Sequence, residues 1–202
     1  MPTQAERRAG TRTALLEATT ATLVAHGYAG ATTNAICTAA GVSQGALFRH
    51  FPTKGALLAA AAADLFPRVI DRFAAAGAGL PTGDDRPDAI VRLLFEAYTW
   101  PELEAAVELY VAARTDTDLA AALAAVEPPH RARLHELAAS LLPERADHPM
   151  FGAAVDLAID AVQGFSMGRR HVLGPAAGEA AERLAGALRA TIRALAPEVV
   201  AP

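Results

Sequence analysis

Between Gly27 and Lys54 the chain carries more helix start and stop signals than one long helix or any strand can absorb. Gly27 can end a preceding helix, Thr32 and Thr33 can each cap a new one, Gly41-Val42 marks a turn, Ser43 offers a second cap and Pro52 closes the run. Only short helices fit between such marks. The segment therefore reads as a helix, a tight turn and a second helix within about twenty residues, with Gly41 placed where a positive φ lets the backbone reverse. Ile36, Ala40, Val42, Leu47 and Phe51 are its expected inward contacts.

The rest of the chain reads as helices of ordinary length. A first helix is expected from Gln4 or Glu6 to His26, because Leu15, Ala18, Thr19, Thr22 and Leu23 recur on one helical face. Another begins at Thr53 or Lys54 and carries Leu57, Leu58, Leu65, Phe66, Val69, Ile70 and Phe73 on its apolar side, with Pro67 expected to kink or end it. Residues 77–87 read as a loop. Asp88–Trp100, Glu102–Arg114 and Asp116–Glu127 follow as helices divided by Pro101 and Thr115. Pro128-Pro129 is expected to interrupt the pattern before His130–Leu142, and Pro143–Pro149 to be a polar connection. Met150–Leu173 and Ala176–Leu195 close the chain as a helical hairpin. Apolar residues make up 52% and charged residues 20%, so the chain can bury enough surface to offset the entropy of ordering. Alanine is abundant while β-branched and aromatic residues are sparse, and the expected fold class is all-α. The expected organisation is an N-terminal three-helix helix-turn-helix head over 1–54 and a C-terminal helical bundle over 55–202.

A net charge of -4 counts against a nucleic-acid binder only until its distribution is seen. Residues 1–54 hold Arg7, Arg8, Arg12, Arg49 and Lys54 against Glu6 and Glu17, a balance of +3, whereas the remainder stands at -7. A head that touches phosphates and a body that does not would carry charge in this way. Arg7, Arg8 and Arg12 form a basic arm expected to dip into a minor groove or track phosphates, or else to be disordered. The single Cys37, the lack of a charged-then-apolar leader and the lack of an apolar run of about 18 residues make the cytoplasm the expected compartment, with no membrane partner.

The run Gly27-Tyr28, Thr32-Thr33-Asn34-Ala35-Ile36-Cys37 and Ala40-Gly41-Val42-Ser43-Gln44-Gly45-Ala46-Leu47-Phe48-Arg49-His50-Phe51-Pro52-Thr53-Lys54 resembles the DNA-binding signature of the TetR family of repressors. The resemblance covers about residues 1–60; beyond it the likeness is one of architecture. It implies that Thr33, Phe48, His50 and Lys54 lie along the phosphate backbone, while Gln44, Gly45 and Arg49 reach base edges and Ser43 stands at the head of the recognition helix. Small or polar residues at that end let the backbone approach the major groove. Two positions depart from the family pattern. Phe48 stands where tyrosine is usual, so no phenolic hydroxyl can reach a phosphate, and Cys37 replaces alanine as a small buried hydrophobe.

The same resemblance implies a homodimer on double-stranded operator DNA and a small apolar effector in the body, released repression being the expected outcome. Apolar stripes on the last two helices, Ala158, Ala161, Val162, Phe165 and Gly168 on one and Leu184, Leu188 and Ile192 on the other, are the expected dimer surface. If both stripes turn inward, the dimer needs another surface. Phe66, Phe95, Tyr98, Trp100, Tyr110, Arg114 and Phe165 are the candidate effector contacts, several of them bringing a polar handle to an apolar site. No cofactor and no metal are expected. His130 and His135 are five apart, Ser166 and His171 have no acid placed by sequence, and Asp156 with Asp160 is expected to meet Arg169, Arg170 or solvent, so catalysis has no constellation to use. The alternative is a helical small-molecule or partner-binding protein whose head no longer reads DNA.

Overall fold

The computed structural model describes residues 3–169 and 172–195, the side chain of residue 169 excepted. Every regular element among them is helical: α1 (Gln4–Gly30), α2 (Thr33–Ala40), α3 (Gln44–His50), α4 (Lys54–Ala78), α5 (Arg86–Ala97), α6 (Pro101–Ala112), α7 (Thr117–Ala124), α8 (Glu127–Leu141), α9 (Phe151–Gly164) and α10 (Ala177–Ala194). A π-helical turn, Phe165–Arg169, continues α9, and short 3₁₀ turns precede α5 and α10 and follow α8. Arg170 and His171 lie outside the described residues.

The chain gathers into two compact units. One takes residues 1–69 and 101–130; its core joins Leu15, Leu16 and Leu23 of α1 to Ile36, Leu47, Phe51, Leu57, Leu58 and Phe66, and to Leu109 and Leu119 of α6 and α7. Helix α1 packs on both α2 and α6. The other takes residues 70–100 and 131–202; in it α5 and α9 pack on α10, and Val91, Tyr98, Trp100, Val162, Phe165, Leu188 and Ile192 are buried.

Local chemistry explains most of the boundaries. Thr3 caps α1 in a reciprocal box: the Glu6 amide donates to Thr3 Oγ1 at 3.2 Å and the Thr3 amide to Glu6 Oε2 at 2.6 Å. Arg7, Arg8 and Arg12 lie within this capped helix, as the first helix expected from Gln4 or Glu6 places them, and not in a disordered arm. Helix α4 runs through Pro67 without ending there, and that proline removes one amide from the hydrogen-bond ladder. Pro128 and Pro129 do not separate two helices. They lie in the first turn of α8, where amides have no partner within the helix and a fixed φ suits the start.

Candidate nucleic-acid interface

The helix–turn–helix is held by the side chains that the sequence offered for it. Thr32 rather than Thr33 caps α2, its Oγ1 accepting from the Ala35 amide at 3.1 Å. Gly41 follows at φ 67°, and the Val42 amide donates back to the Cys37 carbonyl at 3.0 Å. Ser43 caps α3 through the Ala46 amide at 3.2 Å, so its hydroxyl already has a structural task. Ile36, Cys37, Leu47 and Phe51 are buried, and burial pushes the Cys37 thiol above its ordinary pKa, as suits a packing residue.

With Leu47 fully buried, the opposite side of α3 is left to solvent: Gln44, Gly45, Phe48 and Arg49 are all exposed, Phe48 to 45%. Positions 44, 45, 48 and 49 form one helical face. A β-carbon at Gly45 would meet nothing of the chain nearer than Ser43 Oγ at 3.9 Å, so the fold itself leaves that approach open. Arg8 and Arg12 of α1 lie near the C-terminal end of α3. Burial, then Arg8, Arg12 and Arg49 in turn, hold His50 below its ordinary pKa, and Arg12 sits 5.3 Å from the centroid of the Phe51 ring. Thr33 is half-buried at the start of α2.

Lys54 has a second neighbourhood. Its Nζ lies 4.3 Å from the centroid of the Tyr28 ring, whose hydroxyl donates to Asp116 Oδ2 at 2.6 Å. Asp116 also caps α7 by accepting from the Leu119 amide at 2.9 Å. Gly27 interrupts α1 at φ 64°, ψ -175°, and the Tyr28 amide freed by that break donates to Glu108 Oε2 of α6 at 2.6 Å. The end of α1, the start of α4 and the helices α6 and α7 thus share one polar joint.

The candidate effector residues fall into the two units. In the first, Phe66 stacks on His130 with ring centroids 4.0 Å apart and on Tyr110 at 6.4 Å, Tyr110 donates to Glu127 at 2.5 Å, and Arg114 is exposed. In the second, Phe95 meets Phe165 edge to face, Tyr98 donates to Gln163 at 3.4 Å, and Trp100 is buried beside Phe73 with the Arg72 guanidinium 4.0 Å from its ring centroid. Of the expected dimer residues, Val162 is 0% and Leu188 3% exposed, and Ala158, Phe165 and Ile192 are buried too, so these side chains already pack inside their own unit. Ala161, Gly168 and Leu184 keep partial exposure. Asp156 and Asp160 meet Arg131 of α8 at 3.3 and 3.1 Å while keeping solvent exposure, and Asp156 also meets His135 Nε2 at 2.8 Å; the side chain of residue 169 and Arg170, also expected as partners, lie outside the described residues.

Residues 15–61 match the family model described as bacterial regulatory proteins, tetR family. The uncharacterised HTH-type transcriptional regulator Rv2912c of Mycobacterium tuberculosis is 38% identical over 141 residues, covering 69% of this chain and 71% of that one. The chain belongs to the TetR family. Two solved structures share its fold: a regulator from Rhodococcus sp. assigned to the TetR family, with TM-score 0.66, 23% identity and coverage of 91% and 99% of the two chains, and the multidrug binding protein EbrR complexed with imidazole, with TM-score 0.59, 21% identity and coverage of 92% and 94%. As a TetR-family protein the chain is a DNA-binding transcriptional regulator of helix-turn-helix type, and the relatives are named as regulators rather than enzymes. No described helix is long and apolar enough to cross a membrane.

Sequence reasoning missed the joint of this TetR-family chain. Tyr28 was visible as an aromatic after a glycine, but its partners lie 80 and 88 residues away and no local pattern marks Glu108 or Asp116 as theirs. The joint makes stability depend on pH at both extremes. Asp116 is held below its ordinary pKa, first by the Tyr28 hydroxyl and then by the Leu119 amide, so its contribution is present above the ordinary carboxylate value and disappears as pH falls through the depressed one. Tyr28 is pushed up to about 12, chiefly by its bond to Asp116 and then by burial, so its share is present below pH about 10 and vanishes as pH rises through the folded value. Urea titrations of wild type and Tyr28→Phe should diverge between those limits and converge outside them. A constant difference across the whole range would show that the hydroxyl bond does not set the two pKa values.

Proposed function

We propose that the protein is a repressor that binds operator DNA as a homodimer and is released by a small apolar effector, with residues 1–54 reading DNA and residues 55–202 providing the effector site and the dimer surface. The observation that carries the DNA half of this reading is the exposed face of Gln44, Gly45, Phe48 and Arg49 on a capped helix anchored by Leu47, with His50 at its C-terminal end and Arg8 and Arg12 near that end. Gln44, Gly45 and Arg49 read base edges; Thr33, Phe48, His50 and Lys54 follow the backbone, and Ser43 fixes the helix that carries the readers. Two such heads on a two-fold axis would read half-sites roughly 34–36 Å apart.

Support for a dimer surface comes from what α9 and α10 leave uncovered. Leu157, 52% exposed, with Ala161 and Gly164 recurs along one face of α9, and among the described residues nothing beyond the helix itself lies within 4 Å of a β-carbon added at Gly164 or Gly168. Leu184, Ala187 and Thr191 offer a comparable line on α10. An effector is supported by the aromatic clusters with polar handles at Tyr110 and Tyr98, and by a shared fold with EbrR, a multidrug binding protein. Effector binding favours a conformation in which α4 shifts and the two recognition helices lose their spacing, which requires different effector affinities for the two states. The action takes place on chromosomal DNA in the cytoplasm.

Selection of bound fragments from the source genome, followed by gel-shift titration against salt, tests this. Lys54→Ala should weaken all selected sites alike and reduce the slope of log affinity against log salt by about one per subunit. Gln44→Ala should instead change the preferred bases. If neither substitution alters binding, or if the wild-type slope is near zero, the DNA-reading assignment is wrong.

A further inference from the structure

Gln44 does not stand free on the recognition face. Its Nε2 donates to Asn34 Oδ1, and the same nitrogen lies 3.5 Å from Thr33 Oγ1. Asn34 follows Thr33 at the start of α2 and Gln44 is the first residue of α3, so both backbones are set by capped helix termini, at Thr32 and Ser43. Both side chains are exposed and on the surface that faces the groove in the DNA-reading proposal, on which this inference rests.

A free glutamine reads adenine with both ends of its amide, the oxygen accepting from N6 and the nitrogen donating to N7. Here one hydrogen of the amide nitrogen goes to Asn34 Oδ1 and the other is turned to Thr33 Oγ1, so both donors point to α2. The oxygen remains as an acceptor, and in the major groove an acceptor alone is satisfied by the amino group of adenine or by that of cytosine. We propose that Asn34 is a specificity-positioning residue: by holding the Gln44 nitrogen it makes Gln44 an acceptor-only reader, so that the base pair beneath it is accepted as adenine or cytosine on the contacted strand instead of adenine alone. Asn34 itself touches no base.

The test is base preference at the one operator position whose preference is lost in Gln44→Ala, measured by selection from a randomised duplex library with the full-length protein. Wild type should accept adenine and cytosine there within about threefold of each other, and Asn34→Ala should favour adenine by about tenfold, the gain expected of a newly bidentate contact. Asn34→Asp keeps the acceptor for the Gln44 nitrogen, so it should restore the dual preference while lowering affinity for all sites through its charge. In a Gln44→Ala background, Asn34→Ala should change nothing at that position. Matching helical circular dichroism and melting of the variants excludes an effect through folding.

A wild-type preference for guanine or thymine at that position overturns the proposal, as does an unchanged preference in Asn34→Ala. An Asn34→Ala effect that persists without Gln44 also overturns it, since Asn34 would then contact DNA directly. Recovery of no duplex by wild type at low salt overturns the underlying DNA-reading proposal, and this inference falls with it.

Discussion

Gly27→Ala should destabilise the protein by about 2–4 kcal/mol and lower its melting temperature by roughly 5–15 °C. Two separate costs add. The backbone at φ 64°, ψ -175° lies in a region that only glycine adopts freely, and a β-carbon there would lie 2.5 Å from Glu108 Oε2 and 3.1 Å from Oε1. Glu108 can rotate away, but it then abandons the Tyr28 amide that it holds at 2.6 Å. Since that amide is exposed enough for water to replace the carboxylate, the backbone cost should be the larger part. Glu108→Ala separates the two. Alone it should cost about 1 kcal/mol, and in its background Gly27→Ala should lose the clash while keeping the backbone penalty. Equal effects of Gly27→Ala with and without Glu108, measured by chemical denaturation, would remove Glu108 from the explanation.

The same residue shows how far sequence reaches. Gly27 was legible as a helix stop, and Thr32, Gly41, Ser43 and Pro52 as the frame of the short helices, because caps and positive-φ turns depend on neighbours within a few residues. The exposed face of α3 followed from the same frame once Leu47 was assigned to the core. What Gly27 touches was not legible, because Glu108 is placed by the packing of α6 on α1. Composition gave the all-α class. It could not say that Pro128 and Pro129 open α8, since an interrupting proline and a first-turn proline look alike until the hydrogen-bond ladder is known. The effector candidates stand out in the sequence as large side chains, four of them with a polar handle, and the structure divides them: Phe66, Tyr110 and Arg114 belong to one unit, Phe95, Tyr98, Trp100 and Phe165 to the other. Apolar stripes on α9 and α10 were readable as stripes, but an inward face and a partner face are equally apolar, and only burial assigns Val162 and Leu188 to the interior.

Gly55 carried no signal beyond its presence near a helix start, yet its substitution should rank with that of Gly27. A β-carbon at this buried position would stand 2.8 Å from the Leu119 amide nitrogen, 2.9 Å from the Asp118 carbonyl carbon and 3.1 Å from its oxygen. All three are backbone atoms of the first turn of α7, so no side chain can rotate to relieve the contact and α4 must part from α7. Alanine brings a helix-propensity gain of about 0.5–1 kcal/mol, but forced separation of packed backbones costs about 1–3 kcal/mol or more, so the net sign is destabilising. The exposed Gly178 of α10, with nothing within 4 Å of an added β-carbon, supplies the control: alanine there should leave stability unchanged or raise it by a few tenths of a kcal/mol. Displacement of α7 also moves Asp116, the cap that holds the Tyr28 hydroxyl, and with it the ring over which Lys54 sits. Gly55→Ala should therefore weaken DNA binding even at temperatures where the variant remains folded, whereas Gly178→Ala should bind as wild type does. Full operator affinity in a folded Gly55→Ala variant would show that the start of α4 holds its place without α7, and that the polar joint serves stability alone.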